Sequence, residues 1–224
     1  MQDRVPGVPK LGAEPLRHPA CCASLSAPLL AAIASLLPKW SASITTSPLI
    51  LSIGSGTGLL EELLHTYLLD NNNKNNDIAW RVEGVEVNPS VNVYLPEDRI
   101  NHVPGTWATH PGRARDATVL LFVYPRDGLL IQRYVNEWML APDSKRSDGG
   151  KVKSKDSDRL SVGHGPAIAD VGERRKLKRI IWLGPKADWE DTGLSCFENI
   201  SAIEVLKIPD CSGIADYEML GVLR

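Results

Sequence analysis

Three apolar runs are too continuous to form one face of a helix: PLILSI (48–53), ATVLLFVY (117–124) and RIIWLG (179–184). Runs of that length, bounded by glycine or proline, predict strands buried on both faces of a parallel sheet. Other stretches follow the helical period. In LLEELLHTYLL, directly after Gly58, Leu60, Leu63, Leu64, Tyr67 and Leu68 recur at i, i+3, i+4, i+7 and i+8, and Glu61, Glu62 and His65 fall elsewhere on the wheel. Over 128–140, Leu130, Tyr134 and Trp138 stack at i, i+4, i+8, as do Ile131, Val135 and Met139, while Arg133, Asn136 and Glu137 face away. A shorter apolar helix is predicted over 27–37, with Ser26 as N-cap, Pro28 in the first turn and Pro38 as the stop.

Weaker patterns fill the gaps. WRVEGVEV (80–87) predicts a strand and INHVPG a short one, while DWEDTGLSCFEN predicts a weak helix. AIEVLKI (202–208) and DYEMLGVLR (216–224) predict two last strands, close enough in the chain to pair antiparallel. GTWATHPGRARDA stands between the third and fourth strands, and no helix is expected there. The tract NNNKNND (71–77) reads as a loop insertion. Alternation of strand and helix predicts an α/β fold: a mostly parallel sheet with helices on both faces.

Composition changes this picture in two segments. Residues 1–25 hold four prolines and no periodicity, and are expected to be an irregular lead-in to a single domain over 26–224. Residues 143–176 are rich in Ser, Asp, Lys and Gly and predict a flexible basic insertion. Residues 143–179 hold 11 Lys/Arg against 6 Asp/Glu, so a formal net charge of -2 hides a basic linker on an acidic body of net -7. The whole chain, with net charge -2 and a pI near 6.2, excludes a uniformly basic nucleic-acid binder. The basic linker has no aromatic residue between Asp143 and Arg179 to stack on bases, which speaks against nucleic acid as its partner. The 4 cysteines show no metal-ligand spacing, so neither a bound metal nor a disulfide scaffold is expected. No apolar stretch approaches the ~20 residues of a membrane span, and the N-terminus lacks a signal-peptide pattern. A protein of a reducing compartment is expected, the cytoplasm first and the nucleus second.

The chemistry concentrates at Gly54-Ser55-Gly56-Thr57-Gly58, between a predicted strand and a predicted helix. Three alternating glycines let a ligand lie close over the backbone. A dinucleotide fingerprint GxGxxG needs a third glycine where Leu59 stands. A P-loop needs a Lys and a Ser/Thr where Leu59 and Leu60 stand.

The spacing GxGxG in ILSIGSGTGLLEELL resembles the first motif of class I S-adenosylmethionine-dependent methyltransferases. The resemblance implies a Rossmann-like sheet of seven strands with an antiparallel C-terminal strand, and S-adenosyl-L-methionine as cofactor. GVEVNP (84–89) is similar to that family's second motif, in which an acidic residue ending strand two accepts hydrogen bonds from the ribose hydroxyls. Glu86 stands there, and the resemblance implies cofactor contacts from Gly54, Ser55, Gly56, Thr57, Gly58, Glu86 and Val87. It places Thr106 and Trp107 in the adenine region, where the Trp107 face offers a stacking surface. The fourth motif falls on FVYPRDG, sharing one proline with an Asp/Asn-Pro-Pro-aromatic element, so Tyr124 and Arg126 are the catalytic candidates. The sequence departs from the family at Ser52, where an acidic residue usually stands two before the first glycine.

Methyl transfer from a sulfonium is an in-line displacement that needs few dedicated residues, so the acceptor, small molecule or protein, stays open. A base is required only for a protonated nucleophile; His102, His110 and Tyr124 stand where one is needed, and His18, His65 and His164 carry no assignment. Two rival readings remain. One is a non-catalytic binder of methyltransferase-like fold, with the basic insertion as its contact surface. The other is a nicotinamide oxidoreductase, disfavoured by Leu59.

Overall fold

The structure, a computed structural model, describes residues 7–39, 47–75, 79–140, 177–201, 203–209, 211 and 213–224. The expected insertion at 143–176 lies outside the described residues. Five strands run parallel: β3 (Leu49–Ile53), β4 (Arg81–Glu86), β5 (Ile100–His102), β6 (Ala117–Val123) and β7 (Arg179–Pro185). β9 (Glu218–Leu223) pairs antiparallel with both β7 and β8 (Val205–Ile208). The seven strands lie in the order β5-β4-β3-β6-β7-β9-β8. This is the mostly parallel α/β sheet with antiparallel C-terminal strands that the sequence predicts.

Alternation of side chains along the central strands divides the core. Ile50, Val119, Leu121, Ile181, Leu183, Leu220 and Val222 pack on one face beneath α1 (Ala27–Ser35) and α2 (Leu59–Asn75). Leu51, Ile53, Leu120, Phe122, Ile180, Trp182 and Met219 pack on the other. That face is covered by α3 (Pro111–Asp116), α4 (Gly128–Tyr134) with its π-helical extension Val135–Leu140, and α5 (Trp189–Thr192). Because both faces are covered, apolar residues occupy odd and even positions alike. Ser26 caps α1 as expected, accepting the Leu29 N–H at 3.0 Å.

Four local expectations are corrected. The lead-in is not irregular throughout: Leu16–His18 (β1) and Cys21–Leu25 (β2) form an antiparallel hairpin, and Ala23 and Leu25 join the core. No repeating pattern marked it, because so short a hairpin has too few positions to show alternation. The asparagine tract is not a loop from its start, since α2 continues through Asn75. A helix does stand between β5 and β6: α3, whose first turn is capped by His110 Nδ1 accepting the Arg113 N–H at 3.2 Å. Finally, Glu61 is not on a solvated face but is 2% exposed, under the glycine turn.

Candidate functional site

β4, β3 and β6 are adjacent and parallel, so Glu86, Ile53 and Val123 end at one edge of the sheet. From β3 the chain turns one way to β4 and β5, then crosses back to β6. Open α/β sheets bind ligands at such a switch point.

The turn 54–58 fits a ligand over its backbone. Gly54, Gly56 and Gly58 have φ of +77, +56 and +81°, values that favour glycine. Their surroundings differ. A Cβ on Gly54 or Gly56 would meet nothing within 4 Å, whereas one on Gly58 would lie 2.7 Å from Leu95 and 2.8 Å from Asn92. Gly58 is therefore glycine for packing as well, while the first two glycines border open space. Ser55 Oγ is buried with no hydrogen-bond partner.

Glu86 ends β4 beside this space. Its Oε2 accepts the Gly56 N–H at 2.9 Å and its Oε1 the Val87 N–H at 2.8 Å. Each oxygen keeps a lone pair, so the carboxylate still accepts from two vicinal hydroxyls. Val87 follows with an exposed side chain. The turn, Glu86 and Val87 are thus brought together. Trp107 is 60% exposed and lines a cavity of about 640 Å³ with Thr109, Arg133, Asn136 and Glu137. No residue of the turn lines that cavity, and Thr106 lies beside it in the chain.

The position two before the first glycine has a partner that the sequence pattern did not show. Ser52 Oγ donates to Glu61 Oε1 at 2.6 Å, and Glu61 Oε2 is buried without a partner. Burial pushes the Glu61 carboxyl up to about 7, against the Ser52 hydrogen bond, which favours its anion. A carboxyl group therefore stands beside Ser52, delivered from the helix rather than the strand.

Tyr124 follows β6 in the left-handed region, with φ +50°. A non-glycine residue held there costs about 1–3 kcal/mol and persists only where its surroundings enforce it. Its N–H donates to Leu183 O at 2.7 Å. Its hydroxyl donates to Glu218, which is fully buried. Glu218 also accepts the N–H groups of Ser24 at 3.0 Å and Ala215 at 3.3 Å. Burial, then the bond to Glu218, raise the Tyr124 phenol far above its ordinary range. Arg126 is exposed beyond Pro125. His102 and His110 do not meet Tyr124. His102 Nδ1 lies 3.4 Å from Glu86 O, and His110 caps α3.

The hairpin lies beside the turn, and sequence reasoning missed it. Thr57 Oγ1 in the turn donates to Ala20 O at 2.6 Å, tying the hairpin across the turn. Arg17, His18, Pro19, Cys21 and Cys22 line an open cavity of about 540 Å³ together with Tyr124. Of the hairpin residues, the sequence offers His18 without a role and the cysteines without metal-ligand spacing, and it gives no role to Arg17. Among the described residues no group of three or more His, Cys, Asp or Glu is placed to hold a metal ion, and no helix is long and apolar enough to cross a membrane.

No family model matches the chain, and no curated protein matches it. Solved structures do. The chain is similar to human methyltransferase 10 domain containing protein, at 10% identity and a TM-score of 0.43, covering 87% of this chain and 79% of that one. It is similar to the delta-N METTL16 methyltransferase domain, at 12% identity and a TM-score of 0.43, covering 89% and 83%. It is also similar to the CMeT domain of citrinin polyketide synthase, at 11% identity and a TM-score of 0.44, covering 87% of this chain and 49% of that one. Likeness at these identities concerns the fold.

Proposed function

We propose that the chain binds S-adenosylmethionine across the turn 54–58 and catalyses transfer of its methyl group to an acceptor. One observation carries this reading. The left-handed glycines Gly54 and Gly56 border open space next to the Glu86 carboxylate, itself fixed by the Gly56 N–H. A nucleoside needs both parts, a backbone it can approach and an acceptor for its vicinal hydroxyls.

The chain's own residues have a small task. Gly54 and Gly56 leave room, Ser55 offers an unpartnered hydroxyl, Glu86 orients the ribose and Val87 presents an apolar side chain to the base. The cofactor supplies an electrophilic methyl on a sulfonium, and holding a nucleophile in line with it is the main requirement. Trp107 and Thr106 extend the adenine side, and Tyr124 and Arg126 the acceptor side.

A second reading keeps the ligand and drops the transfer. It is favoured by the Tyr124–Glu218 hydrogen bond, which commits the hydroxyl of the best-placed catalytic candidate. Calorimetry with S-adenosylmethionine, S-adenosylhomocysteine and NAD, on the full chain, tests both. Binding of the two adenosyl ligands but not NAD supports the proposal, and a bound ligand raises Tm by mass action. Binding without label transfer to any acceptor in cell extract supports the binder. No binding at millimolar ligand refutes both.

A further inference from the structure

The cavity between the hairpin and Tyr124 has a volume of about 540 Å³, within the range of small-molecule sites. It neighbours the glycine turn through the Thr57–Ala20 hydrogen bond. One of its walls is Tyr124, held in the left-handed region. Such strain gathers at functional sites.

The polar groups of this cavity are donors. Arg17 contributes a guanidinium whose Nε donates to Tyr217 Oη at 3.1 Å and whose Cζ lies 5.3 Å from the centroid of the Tyr217 ring. That fixes the stem and leaves the terminal nitrogens for an anion. His18 Nδ1 accepts the Ala20 N–H at 3.1 Å, so in the neutral ring the proton sits on Nε2, which donates. Pro19, Cys21 and the Tyr124 ring supply apolar wall.

The oxygen and nitrogen bases here are already committed. His18 Nδ1 holds the Ala20 N–H. The Tyr124 proton is directed at Glu218, and Glu218, buried behind it, accepts three donors. The Cys21 thiol, pushed up to about 12 by burial, carries its proton at neutral pH. Cys22 is a free, exposed cysteine at the open side of the cavity, and Arg126 is not among the lining residues. With no oxygen or nitrogen base free to take a proton, the cavity favours a nucleophile that arrives without one to lose.

We infer that this cavity is the acceptor site and that its substrate is a small carboxylic acid, bound through Arg17 and His18 and methylated on a carboxylate oxygen. The inference rests on the methyl-transfer reading above. The carboxylate oxygen forms a bond to the methyl carbon as the carbon–sulfur bond breaks. The electron pair of that bond stays on sulfur, so the products are a methyl ester and S-adenosylhomocysteine, and no proton moves.

The test uses the full chain, tritium-labelled S-adenosylmethionine, and acetate, hexanoate, benzoate and phenylacetate beside phenol and benzylamine. The expected result is label in one or more acids, released as methanol by mild alkali, and none in phenol or benzylamine. Arg17→Gln should raise KM for the labelled acid at least ten-fold, with S-adenosylhomocysteine affinity unchanged, and Arg17→Lys should restore part of it. Saturation-transfer NMR reads acid binding without turnover, and the benzoate signal should vanish in Arg17→Gln. If S-adenosylhomocysteine binds but no acid is labelled, or Arg17→Gln leaves KM and the NMR signal unchanged, the inference is overturned. Label in phenol or benzylamine alone also overturns it. If S-adenosylhomocysteine does not bind, the methyl-transfer reading falls and takes this inference with it.

Discussion

Replacing Glu61 by Gln should change how stability depends on pH more than it changes stability itself. Glu61 is 2% exposed, Ser52 donates to one of its oxygens, and the other oxygen has no partner among the described residues. Its pKa rises from 4.5 in the free carboxyl to about 7, because burial penalises the anion. Between those values the folded state holds a proton that the unfolded state has released. Stability from this group is therefore complete below 4.5 and falls as pH rises through about 7. At about 1.4 kcal/mol per unit, the loss is about 3 kcal/mol. In a chain of this size that equals roughly 6–12 °C in Tm. Glutamine keeps an acceptor for Ser52 and cannot ionise. Urea unfolding at pH 4, 5, 6, 7 and 8 should give nearly equal stabilities at pH 4 and a variant about 3 kcal/mol more stable at pH 8. His65 is pulled below its usual value, first by burial and then by Arg99, and so contributes with the opposite sign. It is present in both proteins and cancels in the difference. Parallel curves for wild type and Glu61→Gln would refute the reasoning and mean that water reaches the carboxylate.

Four further outcomes are expected. Glu86→Ala should weaken S-adenosylhomocysteine binding by about 1.5–3 kcal/mol in calorimetry, the range for hydrogen bonds to a charged group, with Tm nearly kept. Gly56→Ala should cost about 1 kcal/mol in urea unfolding, because its φ is +56°, and should lower ligand affinity at least ten-fold, because the methyl enters the open space. Burial raises the Glu83 carboxyl, but hydrogen bonds from Arg113, Arg81 and Asn101 outweigh it and hold it below 4.5. Its stabilisation is thus present above 4.5 and lost as pH falls through the lower folded value. Arg113→Ala should move the acid-unfolding midpoint to higher pH by circular dichroism. Tyr124→Phe removes one of three donors to buried Glu218 and should destabilise by about 1–3 kcal/mol in urea, with S-adenosylhomocysteine affinity within a few fold.

What could be read directly from the residues is what depends on local repetition. The runs at 48–53, 117–124 and 179–184 are apolar at every position because covered strands bury both faces, and they became β3, β6 and β7. The period of α2, the cap at Ser26 and the glycine turn are equally local. So is Glu86, whose distance from the turn is set by an acidic residue closing a strand. The rest depends on residues far apart in the chain. Glu61 looked solvated because a helical wheel shows only which residues share a face, and here Ser52, nine residues upstream, draws it inward. The hairpin at 16–25 has no periodic pattern. It is held by Ser24 on Glu218 and Ala20 on Thr57, contacts that span 194 and 37 residues. Tyr124 was legible as a strand-end residue, yet its left-handed backbone and its bond to Glu218 exist only because β9 packs beside β7. Turn, strand end and periodic face are written in neighbouring residues, whereas a cavity between a hairpin and a sheet edge exists only after long-range packing brings the two together.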